Sequence, residues 1–146
     1  MMQVVQISPY LITIILAWVL AHIIKFVISY INKERRSLRA YLFISGGMPS
    51  AHSAAVTAMV TIIGLKDGIN SGLFGLALLF AVIVMYDAVK VRRSAGEQGI
   101  AIHRLIKATG SKVKLPRVAM GHTPTEVALG AVLGAAIGIV VFLATV

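Results

Sequence analysis

Four long apolar stretches restrict the fold of this 146-residue chain more than any other feature. They cover approximately residues 9–31, 49–65, 69–93 and 124–146. At a rise of about 1.5 Å per residue, a helix of about 23 residues spans roughly 35 Å, enough to cross a hydrocarbon core of about 30 Å. Only the stretch at 49–65 lies at the lower limit of length, and it fits either a short crossing helix or a partly re-entrant one.

The composition agrees with a membrane protein. Hydrophobic residues make up 58% of the chain and the mean hydropathy is +0.91, values that exclude an ordinary soluble domain. We therefore predict an all-α integral membrane bundle of about four transmembrane helices, with residues 1–146 forming a single membrane domain.

The distribution of charge predicts the orientation of this bundle. The formal net charge is +9, and most basic residues lie in the two loops at 32–48 and 94–123. By the positive-inside rule these loops are cytoplasmic and both termini face out, as in a multi-pass protein of the cell (inner) membrane. This placement explains the excess of basic residues as the signal that sets the membrane topology, and attraction to the lipid bilayer is their second role. It argues against nucleic-acid binding. In the loop at 94–123, the run "GIAIHRLIKATG" predicts an amphipathic interfacial helix.

A first polar cluster, "SGGMPSAHSAA", lies where the second apolar stretch begins. Gly47 permits tight backbone geometry, and the helix that follows would present free N–H groups and a positive dipole end to an anion near Ser50 and His52. Ser50 could equally be only a helix cap with His52 packed under it. A histidine at a membrane helix end is costly to bury without a task, which favours a role in a site.

A second cluster, "YDAVKVRRSAGEQ", closes the third apolar stretch. Lys90 and Arg93 lie on one helical stripe and together suit a phosphate, whereas Arg92 fits an ordinary positive-inside anchor. Asp87 is an acid inside the apolar stretch, so it needs a cationic partner such as Lys90 or Lys25. For Lys25 itself, snorkelling to the interface and a supporting role in the site remain equally open.

A third cluster, "RVAMGHTPTEVALG", precedes the fourth apolar stretch. His122 and Glu126 are four residues apart, and a carboxylate that fixes the tautomer of a histidine makes its other ring nitrogen a base or nucleophile. Thr123, Pro124 and Glu126 also form a capping box, so Glu126 could orient His122, cap the helix, or do both. The predicted topology puts all three clusters at the cytoplasmic interface, which makes a single site geometrically possible.

The fourth apolar stretch carries glycines at every fourth position in "GAVLGAAIG". Gly130, Gly134 and Gly138 form a small-xxx-small pattern, which lets another helix backbone approach closely. The pattern indicates a packing contact within the bundle or a homodimer through these glycines.

Together the clusters resemble the type 2 phosphatidic acid phosphatase superfamily, which includes the vanadium haloperoxidases, and specifically its divergent branch of small membrane proteins. "PSAH" at 49–52 is similar to the Pro-Ser-Gly-His element of that superfamily. Arg117, His122 and Glu126 are similar to its Arg, His and Asp element. The pattern departs from the superfamily in several places: Ala51 replaces glycine, Glu126 replaces aspartate, and no Lys and Arg-Pro element precedes "PSAH". We expect Lys90 and Arg93 to replace that element.

The resemblance implies a membrane lipid phosphate phosphatase with a phosphohistidine intermediate and neither metal nor cofactor. His122 would attack phosphorus, Glu126 would orient it, and His52 would protonate the leaving oxygen. Ser50, Arg117 and backbone N–H groups such as that of Gly47 would hold the phosphoryl oxygens. The implied substrates are phosphatidylglycerol phosphate, phosphatidic acid or an isoprenoid phosphate. The alternative is a phospholipid- or anion-binding or transport protein that keeps the phosphate cradle without the chemistry.

Overall fold

The computed structural model describes residues 8–32, 47–116, 118 and 120–146. Arg117, a predicted phosphate ligand, and most of the loop at 32–48 lie outside the described residues. The described part of the chain is helical, without strands, which confirms the all-α prediction. Its helices are α1 (Pro9–Ile31), α2 (Ala51–Lys66), α3 (Gly72–Tyr86), a π-helical turn (Asp87–Val91), α4 (Arg92–Ala108) and α5 (Pro124–Ala144).

In the described part of the chain, three continuous helical segments are long and apolar enough to cross a membrane: Pro9–Ile31, Gly72–Ala108 and Pro124–Ala144. The shorter apolar helix α2 is the centre of the bundle, because α1, α3 and α5 all pack against it. Small side chains make this possible: Ala51, Ala54 and Ala58 are almost completely buried. The chain is therefore a multi-pass membrane protein of about four helices, as predicted.

Helix α2 runs parallel to α5, which favours a crossing helix over a re-entrant one. At one end the Ser50 N–H donates to the Glu126 carbonyl at 3.0 Å. At the other end the Lys66 ammonium donates to the Thr145 carbonyl at 3.1 Å. Thus α2 begins beside the first turn of α5, and the side chain of Lys66 reaches the residue that follows α5. The 16 residues of α2 give a length of about 24 Å, shorter than the roughly 32 Å of the 21 residues of α5.

The glycines of α5 are buried against α2 of the same chain. A Cβ on Gly130 would lie 2.4 Å from the Ser50 carbonyl oxygen, and one on Gly134 would lie 2.1 Å from the Ala54 carbonyl oxygen. Of the two contacts that the glycine pattern left open, the structure therefore shows the one within the bundle. The surface of these glycines is occupied by α2, and the homodimer stays a prediction.

The third apolar helix continues beyond the predicted boundary at residue 93. The π-helical turn joins α3 to α4 without a break, so the helix reaches Ala108 and replaces half of the expected loop at 94–123. The amphipathic run expected to form a separate interfacial helix is thus the continuation of the third span. After α4 the chain turns back along it, since the His103 Nε2 atom lies 2.6 Å from the Pro116 carbonyl oxygen.

Candidate active site

One cleft at a single end of the bundle brings together residues from all three polar clusters. It is lined by His52 of α2, Val84 of α3, Ala88 of the π-helical turn, Arg92 of α4, and His122. We refer to this pocket as the polar cleft. Its volume is about 10 Å³, room for roughly one water molecule. Two of the three predicted catalytic residues, His52 and His122, thus face a common space although 70 positions separate them.

Backbone contacts hold His122 at the cleft. Its N–H donates to the Ala88 carbonyl at 3.0 Å, which ties the segment before α5 to the π-helical turn. The preceding residue must be a glycine, because a Cβ on Gly121 would lie 2.4 Å from the backbone nitrogen of Arg93 and 2.6 Å from the carbonyl oxygen of Ala88. His122 is consequently 5% exposed.

Glu126 orients the His122 ring and caps α5 at the same time. Its Oε2 atom lies 3.1 Å from His122 Nδ1 and accepts from the Thr123 N–H at 2.9 Å, while the Thr123 hydroxyl accepts from the Glu126 N–H at 3.3 Å. Both roles that the sequence left open are therefore present. In neutral His122 a carboxylate at Nδ1 favours the tautomer with its proton there, which leaves the lone pair on Nε2.

Burial lowers the pKa of His122 below its ordinary value of 6.5. The hydrogen bond to Glu126 opposes this shift, whereas the positive charges of Lys25 and Arg92 add to it. Desolvation and neighbouring cations both disfavour the imidazolium form. Near neutral pH His122 is therefore in the neutral state that a nucleophile requires.

The cation that lines the cleft is Arg92 rather than the predicted pair Lys90 and Arg93. Both of the predicted residues are exposed and neither lines the cleft; the Nε atom of Arg93 instead donates to Glu97 at 3.2 Å. The structure therefore does not bring this pair to the cleft, and its phosphate-binding role stays a prediction. Arg92 lies four residues after Ala88 and eight after Val84, which is the spacing of one helical face. That stripe is the sequence signal that could have identified it.

The π-helical turn also decides the partner of Asp87. Its carboxylate forms a salt bridge with Arg92, five positions later, rather than with Lys90 or Lys25. On a regular α-helix side chains three and four apart are neighbours, whereas a π turn, with its i to i+5 hydrogen bonds, brings positions five apart together. Asp87 thus holds the arginine that lines the cleft, and π turns of this kind are frequent at functional sites.

Ser50 and Gly47 have structural roles that differ from the predicted phosphate contacts. Ser50 is fully buried, and its Oγ atom accepts from the Ser53 N–H at 3.3 Å and from the Ser53 hydroxyl at 2.9 Å. It is therefore the N-cap of α2, the alternative that the sequence had left open, and it does not line the cleft. Gly47 has a φ of +85° and lies against the aliphatic stem of Lys25, 3.6 Å from where its Cβ would be.

Lys25 is 9% exposed, so it lies inside the bundle instead of snorkelling along a lipid-facing surface. Its charge acts on both His52 and His122, and the charge of Arg92 does so as well. His22 is a further neighbour of His52 that the sequence analysis left without a role. Three histidines and two cations are thus gathered at one end of the bundle. Among the described residues, no three His, Asp or Glu side chains are grouped to hold a metal ion.

Comparison with known proteins agrees with this architecture. The family model described as "Divergent PAP2 family" matches residues 7–137. The chain is also 38% identical to "Uncharacterized membrane protein YuiD" of Bacillus subtilis (strain 168), an alignment that covers 81% of this chain and 84% of that protein. No solved structure matches. The resemblance to a divergent branch of the phosphatidic acid phosphatase superfamily is confirmed, and the chain belongs to the Divergent PAP2 family.

Proposed function

We propose that the protein is a membrane lipid phosphate phosphatase that works through a phosphohistidine on His122. The observation that carries this proposal is the pairing of His122 with Glu126 in a cleft that also contains His52 and Arg92. Phosphoryl transfer depends mainly on positioning and on neutralising charge, with an acid for the leaving oxygen. These four side chains supply each of those functions.

In the proposed reaction, the Nε2 lone pair of neutral His122 attacks the phosphorus of a phosphate ester. The N–P bond forms as the ester O–P bond breaks, and His52, which becomes protonated once the negative phosphate binds beside it, gives its proton to the departing alkoxide. Neutral His52 then takes a proton from water, whose oxygen attacks the phosphohistidine. The N–P bond breaks, inorganic phosphate leaves, and both histidines return to their starting states.

Arg92 and Lys25 would offset the negative charge of the phosphoryl oxygens. A guanidinium binds two oxygens at once, and a buried ammonium acts more strongly than one in water. Asp87 is a positioning residue in this scheme, since it holds Arg92. The Arg92 side chain is 50% exposed, so it can swing outward and enlarge the small cleft when a phosphate enters.

The membrane setting favours a lipid headgroup as the substrate. The cleft lies at the end of a bundle of apolar helices, where lipid phosphates are located. The basic loops favour the cytoplasmic side of the cell membrane for this end. The substrate class is a phosphomonoester or diphosphate lipid, such as phosphatidylglycerol phosphate, phosphatidic acid or an isoprenoid phosphate.

The test measures phosphate release from these lipids by the purified protein in detergent. We expect His122→Ala to abolish release and His52→Ala to reduce it by about 10²- to 10⁴-fold, whereas His103→Ala, outside the cleft, retains it. Brief reaction with a radiolabelled substrate should leave an acid-labile label on the wild type and none on His122→Ala. Release that survives in His122→Ala would refute the mechanism. Binding of lipid phosphate without release would instead favour the anion-binding or transport alternative.

A further inference from the structure

An apolar groove lies among α1, α2 and α3. It has a volume of about 250 Å³ and is lined by Ile14, Ala55, Val56, Met59, Ala77 and Phe80. We propose that this groove, the chain groove, holds a single hydrocarbon chain of the substrate while its phosphate occupies the polar cleft. The inference rests on the proposed function and adds the part of the substrate that the groove recognises, a single hydrocarbon chain.

The groove and the cleft are lined from the same faces of two helices. On α2, Val56 follows His52 by four residues and Met59 follows Val56 by three, so all three lie on one face of the helix. On α3, Phe80 precedes Val84 by four residues and Ala77 precedes Phe80 by three. The groove therefore begins one helical turn from the residues that line the cleft, and a phosphate in the cleft would direct its attached chain into it.

The third wall comes from α1. Ile14 lies on the same face as Trp18 and His22, at intervals of four residues, and the rings of Trp18 and His22 are in contact with centroids 4.0 Å apart. Helices α1 and α3 both pack on α2 but barely contact each other. The space between them is open to the side of the bundle, where a lipid chain can enter from the bilayer without leaving the hydrocarbon.

The dimensions fit one short stretch of hydrocarbon chain. On α2 the groove-lining residues extend from Ala55 to Met59, a rise of about 6 Å, and the groove has a volume of about 250 Å³. Its walls would contact the carbons of that chain at about 3.5–4.0 Å. The cations Arg92 and Lys25 at the polar end and the wholly apolar lining beyond it match an amphiphile with one anionic head. The second chain of a two-chain lipid would stay in the bilayer.

The first experiment fills the groove with Ala77→Phe and compares it with Ala136→Phe, a matched change on the exposed face of α5. Hydrolysis of a long single-chain alkyl phosphate is measured beside that of water-soluble p-nitrophenyl phosphate. We expect Ala77→Phe to lower kcat/KM for the alkyl phosphate on the order of tenfold or more, with the soluble ester unchanged, and Ala136→Phe to alter neither. Equal effects of Ala77→Phe on both substrates, or on neither, would overturn the inference. Ala77→Leu provides a smaller obstruction if the Phe variant does not fold.

The second experiment does not require turnover, so it separates failure of the inference from failure of the proposed function. An alkyl phosphate with a photoreactive diazirine in its chain is irradiated with the protein, and the labelled residues are mapped by mass spectrometry. We expect labels at Met59 and Phe80, lost in Ala77→Phe and kept in Ala136→Phe. A second apolar groove is lined in part by Met48 and Leu133. Labels in that groove, or labels insensitive to Ala77→Phe, would overturn the inference even if phosphate release is observed.

Discussion

Replacement of Gly134 by alanine tests the central contact of the bundle. The added Cβ would lie 2.1 Å from the Ala54 carbonyl oxygen and 2.9 Å from the Ala58 nitrogen. Ordinary contact begins at 3.4 Å, so the helices must separate locally by about 1.3 Å, the difference between 3.4 and 2.1 Å. Backbone atoms cannot rotate out of the way, and a gap of 0.5–1 Å already forfeits about a quarter to a half of a dispersion contact.

The expected loss of stability follows from two opposing terms. Overpacking of this severity costs about 3 kcal/mol, the upper end of the usual range. Alanine recovers up to about 1 kcal/mol, because glycine is the poorer helix former. The net expectation is a decrease of about 2 kcal/mol in the free energy of unfolding, or roughly 4–8 °C in the midpoint of thermal unfolding on the scale of soluble domains of similar size.

A matched control makes the measurement interpretable. Gly75 of α3 has no neighbouring atom within 4 Å of a built Cβ, so Gly75→Ala gains helix propensity without a clash and should not lower the midpoint. Both variants are melted in the same detergent and followed by far-ultraviolet circular dichroism. A midpoint of Gly134→Ala equal to or above that of Gly75→Ala would refute the packing argument.

Three further predictions concern the polar cleft. Arg92→Ala should lower phosphate release about 10²-fold, whereas Arg93→Ala should have little effect; a greater loss in Arg93→Ala would contradict the assignment. Because the pKa of His122 is lowered from its ordinary value of 6.5, the fall in release on acidification should have its midpoint at a pH below 6.5, as protonation removes the lone pair. In Glu126→Gln, which loses a contribution that raises this pKa, the fall should shift to still lower pH; a shift upward would contradict the electrostatics. Gly121→Ala should cost about 1–3 kcal/mol of stability and reduce release, and a variant with normal melting and activity would show that the close backbone contact is not required.

Much of the local architecture follows from the sequence. The apolar stretches predict the helices because a membrane interior leaves the backbone no hydrogen-bond partners except its own. The pairing of His122 with Glu126 and the capping box with Thr123 follow from spacings of four and three residues, which helix geometry brings together. The glycine pattern of α5 likewise indicates a close helix contact.

Other features were decided only by the tertiary structure. By hydropathy, α2 is the least clearly membrane-spanning of the four apolar stretches. It is nevertheless the central helix, because its small residues let three neighbouring helices approach. The glycines of α5 could have served a second copy of the chain, and only packing shows that they contact α2. The sequence allowed Ser50 to be either a phosphate ligand or a helix cap, and its burial at the start of α2 shows that it is the helix cap.

The sequence by itself determined that this is a helical membrane protein with polar clusters at one end, and that His122 pairs with Glu126. The cation beside those histidines was decided by the tertiary structure. Regular α-helical spacing favoured Lys90 and Arg93, whereas the π-helical turn pairs Asp87 with Arg92 and the bundle buries the face that carries Ala88. The physical reason is that contacts three or four residues apart are set by the local helix. Which face of a helix meets a distant segment depends on how all the helices pack together.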